Sequence, residues 1–202
     1  YSSGICPRVL DWPLWDAEMS EQRGIVRGDV KGDIFEVGFG TGLNLRFYPE
    51  TVKRITTADV NPSMGKIAQK RVDASEIEVD HHVISGDNLP FDDASFDTIV
   101  CTWTLCSIAK VEDALDEFNR VLRKDGKFLF IEHGLSDDPK VSKWQNRLNP
   151  VWKIIGDGCN LNRNHRELIQ DHRFAFDELD NFYFNTGPRF AGYLYRGIAR
   201  KA

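Results

Sequence analysis

The sequence predicts an α/β protein with a doubly wound, mostly parallel sheet that ends in an antiparallel strand pair. Short β-rich runs alternate with helical patterns up to about residue 174, and this alternation indicates βαβ units around a parallel sheet. The pattern then changes, because FAFDELDNFYF and YLYRGIARK follow each other with no clear helix between them. A chain of 202 residues is long enough for one domain with a complete core.

Each element has its own signal. Five strands are predicted before the change of pattern: Asp33–Val37, Arg54–Asp59, Val79–Ser85, Asp97–Thr102 and Lys127–His133. A helix is predicted in DVNPSMGKIAQKRV, where Asn61 is a suitable N-cap and Pro62 takes the first helical position. Another helix is predicted in VEDALDEFNRVLRKDG, where an apolar repeat of helical spacing begins at Val111 and Gly126 ends the element.

The composition argues against several classes of protein. A net charge of −5 without a Lys/Arg cluster gives no electrostatic surface for nucleic acid. The sequence contains no run of about 18 apolar residues, so no membrane span is predicted, and no signal peptide is expected. The four cysteines, Cys6, Cys101, Cys106 and Cys159, form no CxxC pair and show no zinc-ligand spacing with the histidines. We therefore expect reduced thiols, a cytoplasmic protein and no metal.

The segment FEVGFGTGLNL carries the strongest functional signal. Its strand contains Glu36 and continues into three glycines at alternate positions, Gly38, Gly40 and Gly42. This GxGxG spacing differs from the GxGxxG spacing that binds a pyrophosphate. A carboxylate beside the turn would also repel a pyrophosphate, whereas it would attract an ammonium group. S-adenosylmethionine has no phosphate and has a positive amine and sulfonium, so the segment favours this cofactor over NAD.

Two further acids follow the next predicted strands. Asp59 comes at the end of the second strand, close to the offset at which a carboxylate binds ribose hydroxyls in doubly wound folds. Asp87 follows the third strand, where it can meet the adenine edge of a bound nucleoside. The fourth strand runs into CTWTLCSI, which we expect to line the pocket near the transferable methyl group.

These segments resemble a known family. FEVGFGTG, LPFDDASFDTIV and EFNRVLRKDGKFLFIEHG resemble motifs of class I S-adenosylmethionine-dependent methyltransferases, and the resemblance extends along nearly the whole chain. SFDTIVCTWTLCSI, FIEHG and WQNRLNPVWKIIGDGCNL are similar to the alkyl-thiol methyltransferase branch of methyltransferase-like proteins and its bacterial relatives. The resemblance implies a Rossmann-like fold, S-adenosyl-L-methionine as cofactor and a small-molecule acceptor. Animal members have an N-terminal membrane anchor, and we expect none in this chain.

The resemblance also implies roles for individual residues. Glu36, Gly38, Gly40 and Gly42 are implied to bind the methionyl part of the cofactor, and Asp59 is implied to bind its ribose. The adenine is implied to contact Asp87, Asn88 and Leu89. Thr102 and Trp103 are implied to lie beside the methionine. Cys106 and Ser107 replace a His-His pair of other branches, which removes an obvious general base.

Two residues are candidates for a catalytic role. His133 closes the fifth predicted strand at the ligand end of the sheet, where it is either a proton acceptor or substrate contact, or a partner for a loop. Cys106 is either a thiol on the substrate side or a small buried hydrophobic residue.

The missing base favours a soft acceptor. A thiol with a pKa of about 8.5 is already partly ionised near neutral pH, so it needs no strong protein base. The leading hypothesis is therefore a methyltransferase for a small thiol or a similar small acceptor. The alternatives are an N- or O-methyltransferase for a lipid or metabolite, with His133 or an acid as base, and a non-catalytic cofactor-binding protein. The oligomeric state stays open.

No linker divides the chain, so residues 1–202 are expected to form a single methyltransferase domain. Its predicted parts are N-terminal cap helices in 1–30, a cofactor-binding core in 31–135, a segment 136–172 and C-terminal strands in 173–202. The segment 136–172 contains an apolar stripe interrupted by Pro150, which fits either a substrate lid or a helical pair packed on the core edge. Peripheral contact with a membrane also stays open for this stretch.

Overall fold

The computed structural model describes residues 13–185 and 187–202. Its strands are β1 Ile34–Val37, β2 Arg54–Ala58, β3 Glu78–His82, β4 Phe96–Thr102, β5 Leu122–His133, β6 Phe174–Tyr183 and β7 Tyr193–Lys201. Its helices are α1 Pro13–Gln22, α2 Ile25–Asp29, α3 Pro62–Asp73, α4 Val111–Val121, α5 Pro139–Ile155 and α6 His165–Asp171, with a 3₁₀ helix over Leu43–Phe47. Of the predicted cap segment, residues 1–12 lie outside the described part of the chain.

The seven strands form one sheet in the order β3-β2-β1-β4-β5-β7-β6. The first five are parallel, whereas β7 is antiparallel to β5, and β6 is antiparallel to β7. The predicted fold class is therefore confirmed. The strand order reverses between β1 and β4, and a doubly wound sheet binds its ligands beyond the carboxyl ends of the strands at such a point.

Apolar side chains cover both faces of the sheet. Alternate residues of β5 point to opposite faces, as a strand requires: Phe128 and Phe130 belong to one buried cluster, and Leu129 belongs to the other. The first cluster also contains Phe118 of α4, and the second contains Phe39 of the glycine turn. Burial on both faces fixes the strands, so the ends of β1, β2, β4 and β5 provide a rigid base for a site.

Two predicted boundaries are wrong. The third strand ends at His82 rather than Ser85. The fourth helix ends at Val121, and β5 begins directly at Leu122, so Gly126 lies within a strand and does not stop the helix. Burial explains the second difference, because Leu122 is fully buried and pairs with Phe96 of β4. A Cβ at Gly126 would meet the Leu122 side chain at 2.6 Å, so the glycine permits this close packing.

The apolar segment after β5 forms one helix, α5, which contains Pro150. The predicted helical pair is therefore wrong. Packing of the apolar stripe against the core edge is also wrong for several of its members, because Trp144, Val151 and Ile155 are exposed, as is Ile154 beside them. The roles as a lid and as a membrane contact stay predictions. None of the described helices is both long and apolar enough to cross a membrane.

Candidate active site

The glycine turn after β1 has a backbone that other residues rarely adopt. Gly38, Gly40 and Gly42 all have positive φ, at 75°, 56° and 76°. A Cβ at Gly38 would lie 1.9 Å from Oγ1 of Thr104, so this glycine allows the loop after β4 to approach closely. A Cβ at Gly40 would meet only a backbone oxygen, at 3.9 Å. The turn is therefore packed at its first glycine and open at its second, which leaves room for a ligand against the main chain.

This difference predicts different effects for two alanine substitutions. Both variants place an alanine in the left-handed region, at a cost of about 1–2 kcal/mol each. Gly38→Ala also clashes with Thr104, so we expect it to lose clearly more stability than Gly40→Ala. Gly40→Ala should fold and yet bind S-adenosylhomocysteine, the product form of the predicted cofactor, at least about 10-fold more weakly. Denaturant unfolding and calorimetric titration check both effects; equal stability losses, or an unchanged affinity in Gly40→Ala, would contradict them.

Asp59 connects the end of β2 to the glycine turn. Its Oδ2 accepts a hydrogen bond from the backbone N–H of Gly40 at 2.9 Å, and its Oδ1 accepts one from the N–H of Asn61 at 2.8 Å. The residue is only partly buried. Each carboxylate oxygen keeps further acceptor capacity, so the geometry fits the predicted contact with two ribose hydroxyls.

Glu36 lies fully inside the protein at the end of β1. Its Oε1 accepts from the Asn44 side-chain amide at 2.9 Å, and its Oε2 accepts from the Tyr48 hydroxyl at 2.6 Å. Burial raises the pKa of the carboxyl group from its ordinary 4.5 to about 7, against the lowering effect of these hydrogen bonds. Asn44 and Tyr48 are site residues that sequence reasoning missed.

Arg23 extends this network to β4. Its guanidinium donates to Oδ1 of Asn44 and, at 3.1 Å, to Oγ1 of Thr102. The same group lies 4.6 Å from the centre of the Trp103 ring. Arg23 comes from the turn between α1 and α2, and no local motif marks it. The predicted residues Glu36, Thr102 and Trp103 are thus brought together around a buried cation.

Glu132 of β5 shapes the loop that follows β4. Its Oε1 accepts the backbone N–H groups of Thr104 and Leu105, both at 2.9 Å, and its Oε2 accepts that of Cys106 at 3.0 Å. Trp103, just before this loop, has a φ of 51°, which is unfavourable for a non-glycine residue. Burial raises the pKa of Glu132 to about 7. An acid within the apolar run FLFIEH was the available signal for this residue.

The two predicted catalytic residues lie together. Ligand atoms of Cys106, His133 and Cys159 are all within 4.8 Å of one another. The pKa of Cys159 lies at about 5, well below its ordinary 9.0, chiefly because the Cys106 thiol hydrogen-bonds to it, and His133 and Trp152 act in the same direction. The pKa of Cys106 is raised correspondingly, through the same hydrogen bond and burial. Cys159 was not selected from the sequence, although it lies in the quoted DGCNL segment.

The residues predicted to contact adenine follow β3. Asp87 Oδ2 lies 3.7 Å from the Lys110 ammonium, and its pKa is lowered, first by a hydrogen bond with Ser85. Leu89 is buried, and its backbone N–H donates to Glu117 Oε2 at 2.8 Å. Asn88 is exposed. The three residues form one turn, and none of their described hydrogen bonds goes to Glu36 or Asp59, so their role stays a prediction.

Comparison with known proteins agrees with this geometry. Residues 35–130, which span β1 to β5, match the family model described as a methyltransferase domain. The rat thiol S-methyltransferase TMT1B is 35% identical over 163 residues, which cover 75% of this chain and 66% of the relative. The chain belongs to the class I methyltransferases. Human thiol S-methyltransferase TMT1A is 36% identical over 149 residues, covering 72% of this chain and 61% of that protein.

A solved structure shows the same fold. The S-adenosylmethionine-dependent methyltransferase from Methanosarcina mazei has a TM-score of 0.65 and 19% identity, and the match covers 85% of this chain and 94% of that one. The present chain spans just under two thirds of the length of the thiol S-methyltransferases that it resembles. Methyltransferases of this family use S-adenosyl-L-methionine as the cofactor.

Proposed function

We propose that this protein transfers a methyl group from S-adenosyl-L-methionine to a small-molecule thiol. The observation that carries the proposal is the position of the Cys106, His133 and Cys159 cluster. It lies beyond the carboxyl ends of β4 and β5, on the same edge of the sheet as the glycine turn and Asp59. We infer that a cofactor site and a sulfur-rich acceptor site adjoin at this edge, where the strand order reverses between β1 and β4.

The residues at the glycine turn fit the cofactor. Gly40 is open where a side chain would otherwise project, and carboxylates adjoin the turn on both sides. We propose that Glu36 and the glycine turn hold the amine of the cofactor, that Arg23 holds its carboxylate, and that Asp59 holds its ribose. The adenine would contact Asp87, Asn88 and Leu89. Thr102 and Trp103 would lie beside the methionine. When bound, the cofactor supplies a methyl group that its sulfonium already activates.

The chain's own task is then mainly to position the acceptor. Holding the acceptor sulfur in line with the methyl carbon can supply about 7–11 kcal/mol of the barrier reduction. We propose that Cys106 and His133 contact the acceptor, as their place beside Cys159 and the Trp103 loop suggests. The names of the TMT1 relatives support a thiol acceptor for this branch. An N- or O-methyltransferase acting on a lipid or metabolite is the second candidate, with His133 as the base, and a non-catalytic cofactor-binding protein is the third.

A panel of acceptors with radiolabelled S-adenosylmethionine tests the proposal. We expect label in small alkyl thiols and none in matched amines or alcohols of the same carbon skeleton. Label only in an amine or alcohol would reject the thiol acceptor but would still support methyltransferase activity. Binding of S-adenosylhomocysteine without label in any acceptor would indicate the non-catalytic alternative.

We also propose a reducing compartment, the cytoplasm, for this chemistry. The described cysteines Cys101, Cys106 and Cys159 are all free thiols. Two of them are close enough for their sulfurs to interact, and such pairs stay reduced chiefly where glutathione or thioredoxin acts on them.

A further inference from the structure

The cluster of Cys106, His133 and Cys159 has the composition of a soft-metal site. Two thiols and an imidazole are the ligands of Cys₂His zinc sites. On a tetrahedral zinc, with bonds of about 2.0–2.3 Å, neighbouring ligand atoms lie roughly 3.3–3.8 Å apart. The present atoms lie within 4.8 Å of one another. Side-chain rotations that move these atoms by about 1 Å would therefore bring them to tetrahedral zinc distances. No fourth His, Cys, Asp or Glu atom joins them among the residues that the structure describes.

Hydrogen bonds to the backbone hold two of the three ligands in place. The backbone N–H of Cys106 donates to Glu132, and its carbonyl accepts from both the backbone and the side-chain amide of Asn160, at 2.8 and 2.9 Å. The carbonyl of His133 accepts from Nε2 of His165 at 2.8 Å. These contacts fix the backbone positions of two of the three ligands.

The third ligand is presented by a strained turn. Asp157 and Gly158, just before Cys159, have φ values of 50° and 94°. A left-handed aspartate is uncommon, and such residues concentrate at functional sites. The turn is fixed by a hydrogen bond from the N–H of Cys159 to the carbonyl of Gly156, at 3.1 Å.

Two buried nitrogen atoms at the cluster have no partner other than the Cys159 thiol, on which His133 and Trp152 both act. Nε2 of His133 and Nε1 of Trp152 have no hydrogen-bond partner of regular geometry. A buried polar atom without a partner costs free energy. A metal ion would use the lone pair of a neutral imidazole, and a thiolate on the metal would accept from an indole N–H. Trp152 lies outside the ligand set, so its buried indole N–H is a separate observation, and it points to a thiolate in the same place.

We propose that Cys106, His133 and Cys159 bind a thiophilic divalent cation, represented by Zn²⁺, and leave its fourth position for the acceptor thiol. Three protein ligands with one open position are typical of catalytic rather than structural zinc. The acceptor S–H bond breaks as a metal–sulfur bond forms, and the proton leaves to solvent. The sulfur keeps a lone pair for the methyl group, so no protein base is required. Only the assignment of the fourth position to the acceptor thiol rests on the proposed function. The three-ligand site is argued independently of it.

Cobalt substitution tests the site without measuring activity. The reduced full chain, freed of metal with a chelator, is titrated with Co²⁺. We expect one equivalent to bind, with a thiolate-to-cobalt charge-transfer band and the intense visible bands of a four-coordinate site. An alkyl monothiol should then increase the charge-transfer band. Cys159→Ser should weaken cobalt binding by at least about 100-fold, and Cys106→Ser should do the same.

Cys101→Ser is the matched control, because Cys101 is also buried, and its thiol lies 3.6 Å from Glu132 outside the cluster. It should bind cobalt like the unaltered chain. Absence of thiolate-cobalt bands in the reduced chain, or equal bands in Cys159→Ser, would overturn the metal site. A Cys106–Cys159 disulfide that resists reduction, seen as a chain lighter by two hydrogen atoms, would overturn it as well. Cobalt binding without any response to the thiol would overturn the open position, and titration with S-adenosylhomocysteine would report the cofactor site separately.

Discussion

Replacing Glu132 with glutamine is expected to lower the free energy of unfolding by about 1–3 kcal/mol. The buried carboxylate accepts three backbone N–H groups, those of Thr104, Leu105 and Cys106. Glutamine offers one oxygen and one NH₂ group, so at least one N–H would face another donor. A buried donor without an acceptor costs about 1–3 kcal/mol. The same change releases the loop that carries Trp103 and Cys106.

Denaturant unfolding of the purified variants measures this effect. Glu178→Gln is the control, because Glu178 is exposed on β6; exposed substitutions of this kind usually change stability by less than about 0.5 kcal/mol. If Glu132→Gln unfolds at the same denaturant concentration as this control, then Glu132 does not hold the loop.

Replacing Glu36 with glutamine is expected to weaken cofactor binding without lowering the stability of the fold. Glutamine can keep both contacts, because its oxygen can accept from Asn44 and its NH₂ group can donate to the Tyr48 hydroxyl. It has no negative charge for the cofactor's ammonium group. We therefore expect the affinity for S-adenosylhomocysteine to fall about 10- to 100-fold, which corresponds to a lost charged hydrogen bond of about 1.5–3 kcal/mol.

The stability of the same variant should depend on pH in a defined direction. Burial raises the folded-state pKa of Glu36 to about 7 from 4.5. Below pH 4.5 the side chain is protonated in both states; between 4.5 and 7 the folded state holds a proton that the unfolded state has lost. The unaltered chain therefore loses stability relative to Glu36→Gln as the pH rises through this window. Glu36→Gln should gain roughly 1–3 kcal/mol on the unaltered chain between pH 4.5 and pH 8.

Unfolding at these two pH values, together with calorimetric titration, checks both parts. Glu50→Gln, at an exposed position, is the control and should alter neither quantity. A Glu36→Gln variant that folds and binds S-adenosylhomocysteine as tightly as the unaltered chain would show that Glu36 only organises Asn44 and Tyr48.

Features set by local sequence were predictable. The alternation of patterns predicted the parallel sheet and its antiparallel end, because period and turn residues determine element type. The spacing of Gly38, Gly40 and Gly42 predicted the tight turn, and all three have positive φ. The boundary at Leu122 was missed, since burial of that side chain overrides the stop signal of Gly126.

Features that depend on distant parts of the chain were not predictable. Arg23, Asn44 and Thr102 meet only because the fold joins the turn after α1, the 3₁₀ helix and β4. Cys106 and Cys159 lie in separate loops and show no motif spacing, although their sulfurs interact in the structure. The predicted roles of Asp87, Asn88 and Leu89 still await a test.

Calorimetric titration of Asp59→Ala with S-adenosylhomocysteine tests the central claim most directly. Asp97→Ala is the matched control, because Asp97 also accepts a backbone N–H, that of Asp33 at 2.8 Å, but lies at the opposite end of the sheet. We expect the dissociation constant to rise about 10- to 100-fold in Asp59→Ala and to stay unchanged in Asp97→Ala. An unchanged constant in a folded Asp59→Ala variant, or the same rise in both variants, would contradict a cofactor site at the carboxyl ends of β1 and β2.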